Sequence, residues 1–199
     1  MYLNIAIDGP AGAGKSTIAK AVAQALGILY LDTGAMYRAM ALKALRAGVD
    51  PRDPEAVEPL LPDTDIFARN IDGAQHTYLD GEDVSQLLRT QEMARAASDI
   101  SAIPKVRIKL AQVQRAVAQA GDVVMDGREI GSYVLPDTPI SSLCPRPWKS
   151  GQDAAGPSCR QQGRPEAVPL EISRKKWPSG ITMILTGHLP LWYRCRMRW

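Results

Sequence analysis

Up to Ile140 the chain contains no cysteine and no tryptophan. The cysteines it does have, Cys144, Cys159 and Cys195, are odd in number, far apart and without histidines at metal-ligand spacing. That pattern excludes a disulfide framework and argues against a metal or redox centre, leaving unpaired thiols. A strong charge excess is also missing: the net charge is +3, too mild to argue for a nucleic-acid groove. No stretch reaches the about 18 consecutive apolar residues of a membrane-spanning helix. The first residues lack the basic-then-apolar pattern of a secretory signal. The expectation is a cytoplasmic protein with no membrane and no nucleic-acid partner, acting as a monomer. At 199 residues it suits one domain, with room for a small insertion and a substantial core.

What is present begins at the N-terminus. A short apolar run (Tyr2, Leu3, Ile5, Ala6, Ile7) ends at Asp8. Gly9-Pro10-Ala11-Gly12-Ala13-Gly14-Lys15-Ser16-Thr17 follows and fits G-x-x-x-x-G-K-[ST] without a mismatch. Glycines let the backbone curl so that successive N–H groups face phosphate oxygens, and the next helix adds its positive dipole end. Lys15 reaches the outer phosphates, and the Ser16 hydroxyl suits Mg²⁺. The residues from Gly9 to Thr17 are therefore the expected ATP-binding loop, with Ser16 as the metal ligand.

Further along, Ile28–Asp32 looks like a buried parallel strand, preceded by a helix that stops at Gly27. Gly34 to Ala47 predicts a second helix, ended by Gly48. Pro51, Pro54, Pro59 and Pro62 mark a connector holding at most a short helix. Residues 63–84 change texture: Asp65–Arg69, the turn Asp72-Gly73, Gln75–Leu79 and Asp80-Gly81 predict small antiparallel strands. Helices are expected over roughly 84–98 and 104–119, then a buried strand Val123–Asp126 carrying Gly127-Arg128 at its end.

Strands alternating with helices imply an α/β fold: three layers, α/β/α, around a parallel sheet, interrupted by the small β insertion. Ligands of such sheets bind beyond the carboxyl ends of the strands. The P-loop, Asp32-Thr33-Gly34 and Asp126-Gly127-Arg128 should thus share one site. Phosphoryl transfer needs cations around the moving group and a second site for the acceptor. Arg38, one turn into its helix, can swing onto an acceptor phosphate; the competing reading is a solvated helix arginine. Asp126 either assists Mg²⁺ or pairs structurally with Arg128. Lys15, Asp126 and Arg128 are the candidate catalytic groups.

Several blocks together resemble the bacterial cytidylate kinase family. They are Ile5 to Thr17, Leu31-Asp32-Thr33-Gly34-Ala35-Met36-Tyr37-Arg38, Asp80-Gly81-Glu82-Asp83-Val84, Ala97-Ser98 with Ile103 to Arg107, and Asp126-Gly127-Arg128-Glu129-Ile130-Gly131. The resemblance spans residues 1–139 and implies transfer of the ATP γ-phosphoryl to CMP or dCMP with Mg²⁺. On this chain it implies Thr33 and Arg38 at the acceptor nucleotide, and Ser98, Arg107 and Glu129 reading cytosine. Glu129 stands where the family usually has Asp. A carboxylate suits the cytosine amino group, and Arg and Ser suit its acceptors. The insertion would be the NMP-binding domain. Another small-molecule P-loop kinase and a non-catalytic nucleotide-binding remnant are the competing readings.

Residues 140–199 read differently. All cysteines, all tryptophans and a series of prolines (Pro145, Pro147, Pro157, Pro165, Pro169, Pro178, Pro190) fall there. The strand, arginine-rich lid helix, Arg-Asp segment and last strand expected of the family are not recognisable. Trp177 and Met183 have single codons. One base earlier, the Trp177–Pro178 junction forces Ala and the Met183–Ile184 junction forces Asp. Synonymous choices then permit Ala-Glu-Arg-Asp-Tyr-His-Asp-Ser-His-Arg, like the missing Arg-Asp segment, and Lys149 to Ala155 permits a lid-like arginine run. The expectation is a frame-shifted tail, altered over 141–160 and 176–199, with Gln161–Lys175 in frame. Loss of the strand beside the P-loop strand would expose a central sheet edge, which Ile181–Thr186, of strand character, could fill.

Overall fold

The computed structural model describes residues 2–143 and the backbone of 171–175 and 182–186. Strand β1 (Asn4–Asp8) leads through the P-loop into helix α1 (Lys15–Leu26). Strand β2 (Leu29–Asp32) passes directly into α2 (Thr33–Arg46), because the Asp32 carboxylate accepts the Ala35 N–H at 3.1 Å and caps the helix. The proline connector holds one short helix, α3 (Pro54–Val57), capped by Asp53.

The insertion is a three-stranded antiparallel sheet: β3 (Ile66–Ile71), β4 (Ala74–Leu79) and the short β5 (Glu82–Asp83). Its tight turns put Asp72 and Asp80 at positive φ, each followed by glycine. Ile66 and Leu79 face one another across the hairpin and enter the main core, whereas Phe67 and Tyr78 stack on the other side at 4.8 Å.

Helix α4 spans Gln91–Ile100 and α5 Pro104–Ala120. The helix expected from residue 84 therefore starts seven residues late. Asp83 and Ser85 form a side-chain-bonded turn, and the Thr90 hydroxyl caps the N–H of Met93 at 3.1 Å, which fixes the true start. Strand β6 (Val123–Gly127) follows, then a single π turn at Ile130–Val134 and strand β7 (Ile140–Leu143).

The main sheet has the order β2-β6-β1-β7, all parallel. Alternate residues serve opposite faces. Ala6, Leu31, Val123 and Met125 join α2, α4 and α5 in one core, and Ile5, Ile7, Tyr30 and Val124 join α1 in a second. Burial on both faces explains the near-continuous apolar strands.

One expectation is corrected here. The strand beside β1 is present: Ile140–Leu143 pairs with Ile5–Asp8 in register, so β1 is not a sheet edge. Its alternating, half-exposed pattern hid it, since only Ile140 packs on the core while Leu143 is exposed. Nor does the segment near 181–186 fill that place. Strand β9 (Thr182–Thr186) pairs antiparallel with β8 (Glu171–Lys175) in a two-stranded sheet of its own. Of the expected frame alterations at 141–160 and 176–199, residues 144–160, 176–181 and 187–199 lie outside the described residues.

Candidate functional site

The site is assembled by sheet register. Pairing sets Asp8 level with Gly127, and Asp32 level with Asp126. The carboxyl ends of three strands thus finish in one layer, where loops and helix N-termini are free to hold a ligand.

The P-loop curls as its composition requires. Gly12 and Gly14 take φ of 75° and 80°, a region that penalises a Cβ. Ala13 is buried in the α1-side core, anchoring the loop from below. The Lys15 ammonium donates to the Pro10 carbonyl at 2.8 Å, so its stem lies along the loop. The Gly9 N–H donates to the Gly127 carbonyl at 3.2 Å and ties the loop's first residue to β6.

Asp126 is the buried hub. Its carboxylate accepts from the Ser16 hydroxyl at 2.6 Å and from the Tyr30 phenol at 3.1 Å. Burial, then the negative charge of Asp32, push its pKa up, only partly offset by those two donors. The same burial, with the Asp126 charge, pushes the Tyr30 phenol up, so it stays a protonated donor. Of the two readings for Asp126, pairing with Arg128 is not what forms: Arg128 is exposed, and both Asp126 oxygens are taken by Ser16 and Tyr30. Thr33 is buried and donates its hydroxyl to the Asp126 carbonyl at 2.8 Å, so it sits in the floor of the site. Gly127 is needed for this packing, since a Cβ there would lie 2.8 Å from the Thr33 hydroxyl and 2.6 Å from Ile130 Cδ1.

Arg38 is not a solvated helix arginine. Its guanidinium pairs with Asp32 at 2.8 Å, at the N-terminus of α2. Arg107, from α5, and Glu129, just past β6, form an ion pair, so two of the three residues expected to read cytosine meet. Tyr37 stands in the field of both; burial raises its pKa, Arg107 opposes the shift, and Glu129 adds to it. Ser98 is exposed on the last turn of α4, where its carbonyl accepts from Ser101, outside these bonded groups.

Residues that the motif pattern did not flag complete the framework. Asp8 is buried, and its two oxygens accept the N–H groups of Ile130 and Gly131 at 2.7 and 2.8 Å. That fixes the start of the turn following Glu129. Arg115 holds the end of the same turn through the carbonyls of Tyr133 and Val134. Asp8 carries a sequence signal, a carboxylate at a strand end directly before the loop glycine; Arg115 carries none.

The donor set fits a hard cation. A hydroxyl and a buried carboxylate lie within 2.6 Å of one another at the loop, and Mg²⁺ characteristically takes one or two carboxylates plus substrate phosphates. Among the described residues no group of three or more His, Cys, Asp or Glu could form an all-protein metal cage.

Fold and loop together define a P-loop α/β protein with an inserted β domain. Residues 5–143 match the family described as Cytidylate kinase. A cytidylate kinase of Symbiobacterium thermophilum is 55% identical over 135 residues, covering 67% of this chain and 60% of the relative. That of Pelotomaculum thermopropionicum is 50% identical over 140 residues, 70% of this chain and 62% of its own length. That of Mycobacterium leprae is 47% identical over 137 residues, 68% and 60% respectively. The chain belongs to the cytidylate kinase family. Its matched part spans about 60% of the length of these curated relatives. The match runs through Leu143, the end of β7, four residues beyond the boundary expected at 139. No helix among the described residues is long and apolar enough to cross a membrane.

Proposed function

We propose that this chain transfers the γ-phosphoryl group of ATP to CMP or dCMP, giving ADP and CDP or dCDP. One observation carries the reading: the P-loop, the Arg38–Asp32 pair and the Arg107–Glu129 pair converge at adjacent strand ends. In this reading Gly9 to Thr17 cradle the ATP phosphates. Lys15 leaves the Pro10 carbonyl for the outer phosphates, and Arg38 takes the acceptor phosphate. Glu129 accepts from the cytosine amino group while Arg107 donates to the ring acceptors. An acceptor phosphate oxygen attacks the γ-phosphorus as the bond to the β–γ bridging oxygen breaks, and ADP departs. Ser16 and Asp126 would hold Mg²⁺, which when bound neutralises charge on the phosphates. Arg128, exposed beside the site, is free to join the transferring group.

The same reading takes the chain as a cytoplasmic monomer, and light scattering checks the latter. It also places the lid arginines in a shifted frame after Leu143, where the family match ends. Sequencing the coding DNA across codons 144–199 tests that point: no frame encoding an arginine run there would dismiss it. The activity is tested by ADP release with CMP, dCMP, UMP and AMP as acceptors. Turnover with CMP and dCMP above the other two supports the reading. Preferential turnover of UMP or AMP selects another monophosphate kinase, and ATP binding by calorimetry without any turnover selects the nucleotide-binding remnant.

A further inference from the structure

The insertion sheet lies along α2 and is fastened to it at both ends. At the C-terminal end of the helix, Lys43 pairs with Asp80 and Arg46 with Glu82, and both pairs are substantially exposed. Exposed pairs of this kind contribute little. At the ligand end the attachment is of another type. The Gln75 side-chain amide of β4 meets the Asp32 backbone twice: its Oε1 accepts the Asp32 N–H at 2.6 Å and its Nε2 donates to the Asp32 carbonyl at 3.3 Å. Only the amide oxygen can accept an N–H, so the orientation of the group is dictated. Asp32 ends β2, the outer strand of the main sheet, and the amide acts as one residue of an added strand on that edge.

The amide is held in place. Its Nε2 also donates to the Thr77 hydroxyl at 3.3 Å, and the Thr77 N–H donates to the Ser85 hydroxyl at 2.8 Å. Ser85 in turn donates to Asp83 at 2.6 Å. On the other side, the residue it grips is the one that carries Arg38: the Asp32 carboxylate caps α2 and pairs with the guanidinium at 2.8 Å. Gly34 leaves room for this; a Cβ there would lie 3.1 Å from Asp32 Oδ1 and 3.2 Å from Arg38 Nη1.

We propose that Gln75 is a positioning residue for the acceptor site: by gripping the Asp32 backbone it sets the inserted sheet against the core and fixes the pair that presents Arg38. It touches no reacting group and acts through Asp32 and Arg38. This rests on the acceptor-site reading above, and the test is built so that the two can fail separately.

The first measurement uses the full chain without nucleotide. Hydrogen exchange of the Asp32 amide in Gln75→Ala should be accelerated about three- to tenfold, the loss of one or two hydrogen bonds. Gln75→Glu keeps the acceptor for that N–H and loses the donor, so it should recover part of the protection. An Asp32 amide equally protected in wild type and Gln75→Ala overturns the proposal, whatever the chain binds. The second measurement is calorimetry with CMP and, separately, with Mg²⁺-ATP. CMP affinity should fall by about three- to tenfold in Gln75→Ala, Mg²⁺-ATP affinity should hold within about twofold, and the CMP loss should vanish in an Arg38→Ala background. Equal losses for both nucleotides, an unchanged CMP affinity, or additivity with Arg38→Ala overturns it. Wild-type chain that fails to bind CMP refutes the acceptor reading instead, and the exchange result then decides the Gln75 grip alone.

Discussion

The two halves of the site are built from different materials. In the proposed reading the donor side is one contiguous loop. Its shape is set by glycines at positive φ, Lys15 bonds Pro10 five residues away within it, and Ser16 ties it to Asp126. The proposed acceptor side has no such loop. It is made of charged side chains from the end of β2, from α2, from α5 and from just past β6, joined by the Arg38–Asp32 and Arg107–Glu129 pairs, the second linking residues 22 apart. Backbone recognition is rigid and indifferent to which nucleotide carries the phosphates. Side-chain recognition can discriminate a base, but it depends on whatever holds those side chains in place. Asp8, Arg115 and Gln75 do that holding.

Substitutions can break this division. The largest effect is expected from Lys15→Ala, which should cut turnover by on the order of 10²- to 10³-fold and weaken Mg²⁺-ATP while sparing CMP binding. Calorimetry with each nucleotide separates these, and equal damage to both sides would erase the contrast. Arg38→Ala should do the reverse, weakening CMP by roughly 10- to 100-fold with Mg²⁺-ATP nearly unchanged, as expected for loss of a charged contact to phosphate. Glu129→Gln should have a smaller and more selective effect. Preference for CMP over UMP in competition assays should drop about tenfold, since one base-edge contact is compromised.

The smallest effect concerns the insertion and its pH dependence. Asp83 is held down to about 2 by the Ser85 hydroxyl first, then by His76 and the Ser85 N–H. A depressed carboxylate stabilises the fold only while ionised. Its contribution is therefore complete above about pH 4 and is lost as pH falls from there toward 2. Asp83→Asn lacks this titration, so the melting temperatures of the two proteins should differ most above pH 4 and converge as pH falls through 2. A gap undiminished at pH 2 would mean that Asp83 acts through something other than its charge.

The sheet strands were legible because β1, β2 and β6 are buried on both faces and read as apolar runs. Strand β7 was not, because half of it faces outward and its partner β1 lies more than a hundred residues away in sequence. The start of α4 was misplaced for a local reason: Val84 to Leu88 contains apolar residues at helical spacing, yet Ser85 bonds Asp83 and Thr90 caps the helix seven residues later.

The sequence by itself determined the P-loop motif, the alternation of helices with the strands β1, β2 and β6, and the family resemblance, because these depend on residue type and spacing over short stretches. Tertiary structure alone decided which charges are partners. Asp126 could face Arg128 or Ser16, and Arg38 could be solvated or held. Those choices follow from strand register, which sets Asp32 opposite Asp126 and both beside the loop. A one-residue slip would exchange the side chains fitted to the core under α2, α4 and α5 with those fitted to the core under α1, so register is a property of the folded whole rather than of any segment.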